Sequence, residues 1–183
     1  MIYASMFSNN FLFNAYAWEG PGVQSFFLSP VDPERVVFGK NLGVWLYNLV
    51  LALEGAIAFC LVSGIPSIPA LIGGCLAFVA ALLLATIVGN FLSPAIPVPR
   101  DIASITNSPS QTAVLMTLGV LVLNGILIGG SLTIPALLGL AWLGPLVLLV
   151  LIGIEISLYS MMLQPAGRHL ESHRESLIEG LQT

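Results

Sequence analysis

Charge is what this sequence has least of. Only 8% of its 183 residues are charged, against about 25% in ordinary soluble domains, and the net charge is −4 with five Lys and Arg in all. No basic block is available for nucleic acid, which is not expected as a partner. The two cysteines, Cys60 and Cys75, are too few for a disulfide framework and lack metal-ligand spacing; they read as buried free thiols. No Lys or Arg precedes Arg35, so the basic n-region of a cleaved secretory signal is missing and no cleavage is expected. A phosphate-binding Gly-x-x-x-x-Gly-Lys-Ser/Thr loop is absent as well. Gly39-Lys40 lacks both the upstream glycine and the following hydroxyl residue, so this chain is not expected to bind ATP itself. There is no Gly-x-Ser-x-Gly elbow, and His169 and His173, although at i and i+4, lack the acid pattern of a zinc helix and read as part of a solvated tail. No metal site, no cofactor and no enzymatic activity are expected.

What the sequence has instead is apolar length. Hydrophobic residues make up 57% of the chain and the mean hydropathy is +0.97, and several stretches approach the ~20 apolar residues that cross a ~30 Å hydrocarbon core. The expectation is an all-α, polytopic transmembrane bundle forming one membrane domain over residues 1–183. Residues 1–18 are apolar and aromatic but carry Ser5, Ser8, Asn9, Asn10 and Asn14, which suits a partial or polar span; their abrupt start also fits a chain whose upstream helices precede this sequence. Four firm spans follow, at 41–62, 70–92, 113–130 and 145–163. Gly129-Gly130-Ser131 is expected to break the third, leaving 132–143 as a short re-entrant or interfacial helix, although one long helix kinked at Pro145 is the alternative. The proline-rich stretch 93–112, with Arg100 and Asp101, reads as an aqueous loop. In the tail 164–183, Leu170, Leu177, Ile178 and Leu181 share a helical face, and the tail is expected at the membrane surface or against a partner.

Residues 19–40 are the conspicuous polar interruption. Val23, Phe26 and Phe27 fall at i, i+3 and i+4, as in a short interfacial helix. Asp32-Pro33-Glu34 then supplies an N-cap, a first-turn proline and a first-turn acid for the next helix. Arg35, Lys40, Arg100, Arg168 and Arg174 all fall on one side of the span list, and the opposite turns carry no Lys or Arg. The positive-inside rule therefore places residues 19–40, the proline loop and the C-terminus in the cytoplasm.

Within the spans, Gly73, Ala77, Ala81, Ala85 and Gly89 form a ridge of small residues at successive i+4 positions, suited to close helix packing in lipid. Glu54 and Glu155 lie roughly 20 Å and 12 Å from the cytoplasmic side at 1.5 Å per residue. Intramembrane carboxyls are expensive, so each is either a group on a translocation path or a packing group hydrogen-bonded to a neighbouring helix or subunit. Asn124 reads as interhelical packing glue.

The stretch around residues 19–40 resembles the permease subunits of type-2 ATP-binding-cassette exporters. Similar elements are Glu19-Gly20 after a membrane helix, a short amphipathic segment ending in Leu28-Ser29-Pro30, and Gly39-Lys40 at the membrane entrance. The likeness extends from about Trp18 to Leu163; the chain departs from it in lacking a basic residue after Glu19 and in carrying Gly20-Pro21-Gly22 where a Gly-Thr is common. The resemblance implies that this segment is a coupling helix resting on a separate ATP-binding subunit, through Glu19, Gly20, Ser29, Pro30, Asp32, Glu34 and Arg35. It further implies a second permease copy or a related permease as partner, ATP bound on the partner subunit, and residence in a bacterial inner membrane. A non-transporting membrane scaffold is the alternative.

Overall fold

The computed structural model describes residues 15–95 and 111–182, with the side chains of 17, 18, 21, 111–114 and 180–182 left aside. Among the described residues every element is helical. A 3-10 segment, Ala17–Val23, leads into the short helix α1, Gln24–Leu28. Four long helices follow, α2 Pro33–Ser63, α3 Ile68–Ala95, α4 Gln111–Leu137 and α5 Leu143–Ser172, and a short α6, Arg174–Gln182, ends the described chain.

All four long helices are apolar enough to cross a membrane. Their outer faces confirm which solvent they need: Val50, Leu53, Ile57 and Leu61 on α2, Leu115, Val122 and Ile126 on α4, and Leu149, Val150 and Ile154 on α5 are exposed. Apolar surface of that extent is not sustained in water, and helices with every backbone hydrogen bond internal are what lipid accepts. The protein is an integral membrane protein.

Local chemistry sets the helix ends. Pro33 occupies the first turn of α2, where its missing N–H costs nothing. Asp32 does not cap it with its side chain, as the pattern predicted; its carboxylate instead pairs with Arg35 at 3.5 Å, while its backbone carbonyl accepts from the Arg35 N–H at 2.9 Å. Gly64, at φ +80°, ends α2, and its N–H donates to the Cys60 carbonyl. Gly139, at φ +74°, ends α4 in a Schellman arrangement: the Leu140 N–H donates to the Pro135 carbonyl at 2.8 Å and the Gly139 N–H to Ala136 at 3.1 Å.

Three expected boundaries move. Helix α4 runs through Gly129-Gly130-Ser131 to Leu137, so 132–143 is not a separate short helix. Glycine weakens a helix by exposing backbone to water, and in a bilayer there is no competing water; the Ser131 hydroxyl is satisfied by donating to the Leu127 carbonyl at 2.6 Å. Helix α3 continues through Ser93-Pro94 to Ala95, with both residues buried rather than in an aqueous loop; residues 96–110 lie outside the described residues. Helix α5 continues past Leu163 and through Pro165 to Ser172, so the first part of the expected tail belongs to the last long helix. Of the expected partial span at 1–18, residues 1–14 lie outside the described residues.

The long helices alternate in direction, with α5 at the centre, packed against α2, α3 and α4 and most extensively against α3. Ala80, Leu83 and Ile152 form one buried cluster between α3 and α5, with Ile128 of α4 against it. Ala85 and Leu92 meet Val120 of α4 and Val44 of α2 in a second. A third cluster closes one end of the bundle. It joins Tyr16 and Val23 to Val37 of α2, Ala166 and Leu170 of α5, and Leu177 of α6. Leu170 and Leu177, two of the four residues expected to face a membrane surface or a partner, are thereby buried against their own chain, with Ile178 half-buried beside them. The cysteines also differ from expectation: Cys75 is exposed and Cys60 half-buried, both on membrane-spanning helices.

Candidate functional sites: a fixed tip and an intramembrane seam

At the closed end of the bundle the chain builds a small projecting structure from residues 15–40. Its hub is Lys40, in the second turn of α2, where a long side chain can fold back over the preceding segment. The Lys40 ammonium donates to the Glu19 carboxylate and, at 3.2 Å, to the Ala15 carbonyl. It also lies 5.1 Å from the centre of the Phe26 ring and 5.9 Å from that of Tyr16, within cation–π range. The Tyr16 backbone N–H donates to the Ser93 hydroxyl at 3.2 Å, which ties the segment to the end of α3. On the other flank Arg174 of α6 sits over the Phe27 ring at 5.5 Å.

The base of this structure is held by a close backbone approach. A Cβ placed on Gly167 of α5 would lie 2.8 Å from the Glu34 nitrogen and 3.1 Å from its Cα. Only glycine permits α5 to touch the first turn of α2 this way. His169, two residues on, points its Nε2 at the Phe91 carbonyl, 3.0 Å away, and stacks near His173, whose Nδ1 engages the His169 carbonyl at 2.9 Å. Both histidines thus serve the helix end. The summit, in contrast, is bare: Leu28, Ser29, Pro30, Val31 and Asp32 are all exposed, Leu28 at 77%.

Of the predicted coupling residues, the structure gathers Glu19, Ser29 and Arg35 around one open groove together with Phe26, Val31, Val36, Gly39 and Lys40. Glu19 is engaged by Lys40, and Gly20 adopts φ +51°, which only glycine takes readily. Asp32 and Arg35 pair with each other, and Glu34 is exposed beside Gly167. Pro30 stands on the summit, outside the groove lining.

The second site lies within the membrane. Asn41, Trp45 and Asn48 recur at i, i+4 and i+7 on α2, Thr86, Asn90 and Ser93 at similar spacing on α3, and Glu155 and Tyr159 at i and i+4 on α5. All but the half-buried Trp45 are buried, and together they form a polar seam where the three helices meet. The Asn41 amide donates to the Tyr159 hydroxyl at 2.9 Å, and the Trp45 Nε1–H donates to the Thr86 hydroxyl at 2.9 Å. The Trp45 and Tyr159 rings are in contact at 5.3 Å between centres. Thr86 passes its own proton to the Leu82 carbonyl at 2.6 Å. Glu155 is 3% exposed, and neither of its carboxyl oxygens has a hydrogen-bond partner.

The other intramembrane candidates are apart from this seam. Glu54 is exposed on α2, and Asn124 is half-buried on α4 with its carbonyl oxygen unpartnered. Along the small-residue ridge, Gly73, Ala85 and Gly89 are buried and Ala77 and Ala81 half-buried. Gly73 faces Leu132 and Ala85 packs with Val120, so both look toward α4. Sequence reasoning passed over Asn41, Trp45, Asn48, Thr86 and Tyr159, whose helical spacing inside apolar spans was the available signal. It also passed over Gly167, whose role no local pattern discloses.

No family model, no curated protein and no solved structure matches the chain. A functional reading therefore rests on the residues themselves. Among those described, no group of three or more His, Cys, Asp or Glu is placed to hold a metal ion.

Proposed function

We propose that the protein is the membrane-spanning permease subunit of an ATP-driven exporter of the ATP-binding-cassette type, and that the summit at Leu28–Asp32 receives a separate ATPase subunit. One observation carries this reading. The summit is bare and carries an exposed leucine, while its base is fixed to three membrane helices through Lys40–Glu19, the Tyr16–Ser93 bond and the Gly167–Glu34 contact. A partner pressing on such a projection displaces the ends of α2 and α5 with it, because packed elements move as units. The described basic residues, Arg35, Lys40, Arg168 and Arg174, all belong to this end of the bundle, and the positive-inside rule makes it the cytoplasmic one. ATP is bound and hydrolysed by the partner. The lightly covered outer faces of α2 and α4 suit a second copy or a related permease, with which the chain encloses a path.

Copurification tests the docking role. Leu28→Asp and Arg35→Glu alter exposed side chains and leave the bundle intact, so they are expected to reduce recovery of the ATPase subunit at least tenfold at unchanged permease abundance. Undiminished recovery with both variants would remove the summit from the docking role.

A further inference from the structure

The polar seam contains oxygen acceptors for which the described residues supply no donor. Helices α2 and α5 run antiparallel, and the Asn41–Tyr159 hydrogen bond fixes their register. One turn deeper Trp45 comes level with Glu155, and Asn48 follows three residues, ~4.5 Å, further along the helix. Glu155 is 3% exposed and Asn48 1%. Both carboxyl oxygens of Glu155 and the Asn48 carbonyl oxygen are buried without a hydrogen-bond partner.

The donors nearest in register are directed elsewhere. The Trp45 N–H goes to Thr86, the Thr86 hydroxyl to Leu82, and the Asn41 amide to Tyr159. The Asn48 amide nitrogen donates to the Val44 carbonyl at 2.9 Å, which also fixes the orientation of the side chain, since reversing it would set two carbonyl oxygens together. Among the described residues no basic group faces the seam. The seam residues of α2 and α3 are uncharged, the described residues of α4 include none that is charged, and the other titratable side chains are Tyr159 and, interacting with it from the tip, the buried Tyr16. Buried acceptors left unpaired are strongly disfavoured, and an uncompensated carboxylate more so. An ionised Glu155 in a purely packing role would require a donor at this level, because only the protonated carboxyl carries a donor of its own. Oxygen acceptors around one negative charge, without donors, constitute the chemistry of a site for a hard cation.

We propose that Glu155 and Asn48 form an intramembrane site for a monovalent cation, either a proton or a sodium ion. A single positive charge neutralises the single carboxylate, leaving no net charge in the hydrocarbon, where a residual charge is costly. The ion is exchangeable: it is released when α2 and α5 separate and admit water to the seam. This assignment does not depend on docking of an ATPase.

Dicyclohexylcarbodiimide, an apolar reagent that adds to protonated carboxyls, tests the site on the full chain in lipid vesicles, with the adduct located by peptide mass mapping. Glu54, exposed on α2, is the reagent control, and Glu155→Gln verifies the assignment of the adduct. Glu155 is expected to be modified, and its modification to fall at least fivefold under one of two conditions. Suppression by sodium at fixed pH identifies a sodium site; suppression by raised pH but not by sodium identifies a proton site. Asn48→Leu is expected to raise the sodium concentration or lower the pH at which suppression sets in. The proposal is overturned if Glu155 stays unmodified while Glu54 reacts, or if it reacts at a rate indifferent to both sodium and pH.

Discussion

Gly167 shows how much of this structure depends on single atoms. A methyl group there would sit 2.8 Å from the backbone nitrogen of Glu34, and backbone cannot swing aside as a flexible side chain can. Gly167→Ala is therefore expected to destabilise the protein by about 1–3 kcal/mol, the usual range for overpacking, as measured by denaturant titration in detergent. Gly153, on the same helix, meets nothing within 4 Å, so Gly153→Ala should be neutral or mildly stabilising. The two glycines look alike in the sequence; only the position of α2 distinguishes them. Trp45→Phe keeps an aromatic six-membered ring but removes the pyrrole half of the indole together with the N–H given to Thr86. The expected loss is about 0.5–1.5 kcal/mol, and a double-mutant cycle with Thr86→Val should recover most of it as coupling energy.

At the scale of elements, the tip is organised by Lys40 rather than by the acid-glycine pair that first draws the eye. Its ammonium joins Glu19, Ala15 and two aromatic rings, so one substitution should loosen the 3-10 segment and α1 together. Lys40→Met is expected to accelerate backbone hydrogen exchange across residues 17–28 by roughly fivefold, corresponding to about 1 kcal/mol for a part-exposed pair, with little change in α3. Leu177, fully buried under the same structure, gives an independent check: Leu177→Ala should release α6 at a cost of about 2–4 kcal/mol. The sequence disclosed the two ends of α2, at Pro33 and just before Gly64, where backbone geometry demands a special residue; it did not disclose the end of α4 at Gly139, which lies inside the stretch expected to be a short helix. It misled at Gly129-Gly130-Ser131, Ser93-Pro94 and Pro165 because glycine, serine and proline break helices chiefly through water and lost hydrogen bonds. Burial or lipid removes the first factor, and neighbouring groups such as the Tyr16 N–H on Ser93 make use of the residue itself.

For the molecule as a whole, composition alone sufficed for the fold class, since long apolar segments admit few architectures in lipid. The polar seam was only partly legible. Glu155 stood out as a carboxyl within a span, but its meaning depends on α2 and α3 delivering uncharged groups to the same level, which is a property of packing. Glu54, equally conspicuous in the sequence, faces outward instead. The tip was visible as a polar interruption, whereas its attachment through Gly167, Ser93 and α6 involves residues more than fifty positions away. That attachment is why a partner bound at the summit would act on the bundle rather than on a loose loop.

The most direct measurement of this account is the reactivity of Ser29→Cys toward a membrane-impermeant maleimide, in a background with Cys60 and Cys75 replaced, using oriented vesicles from cells making the protein together with its native partners. The account predicts labelling from the cytoplasmic face alone, slow while peripheral subunits remain bound and at least tenfold faster once they are stripped, with Ser176→Cys on α6 changing far less. Labelling from the opposite face, or a rate at Ser29 that stripping leaves unchanged, would contradict it.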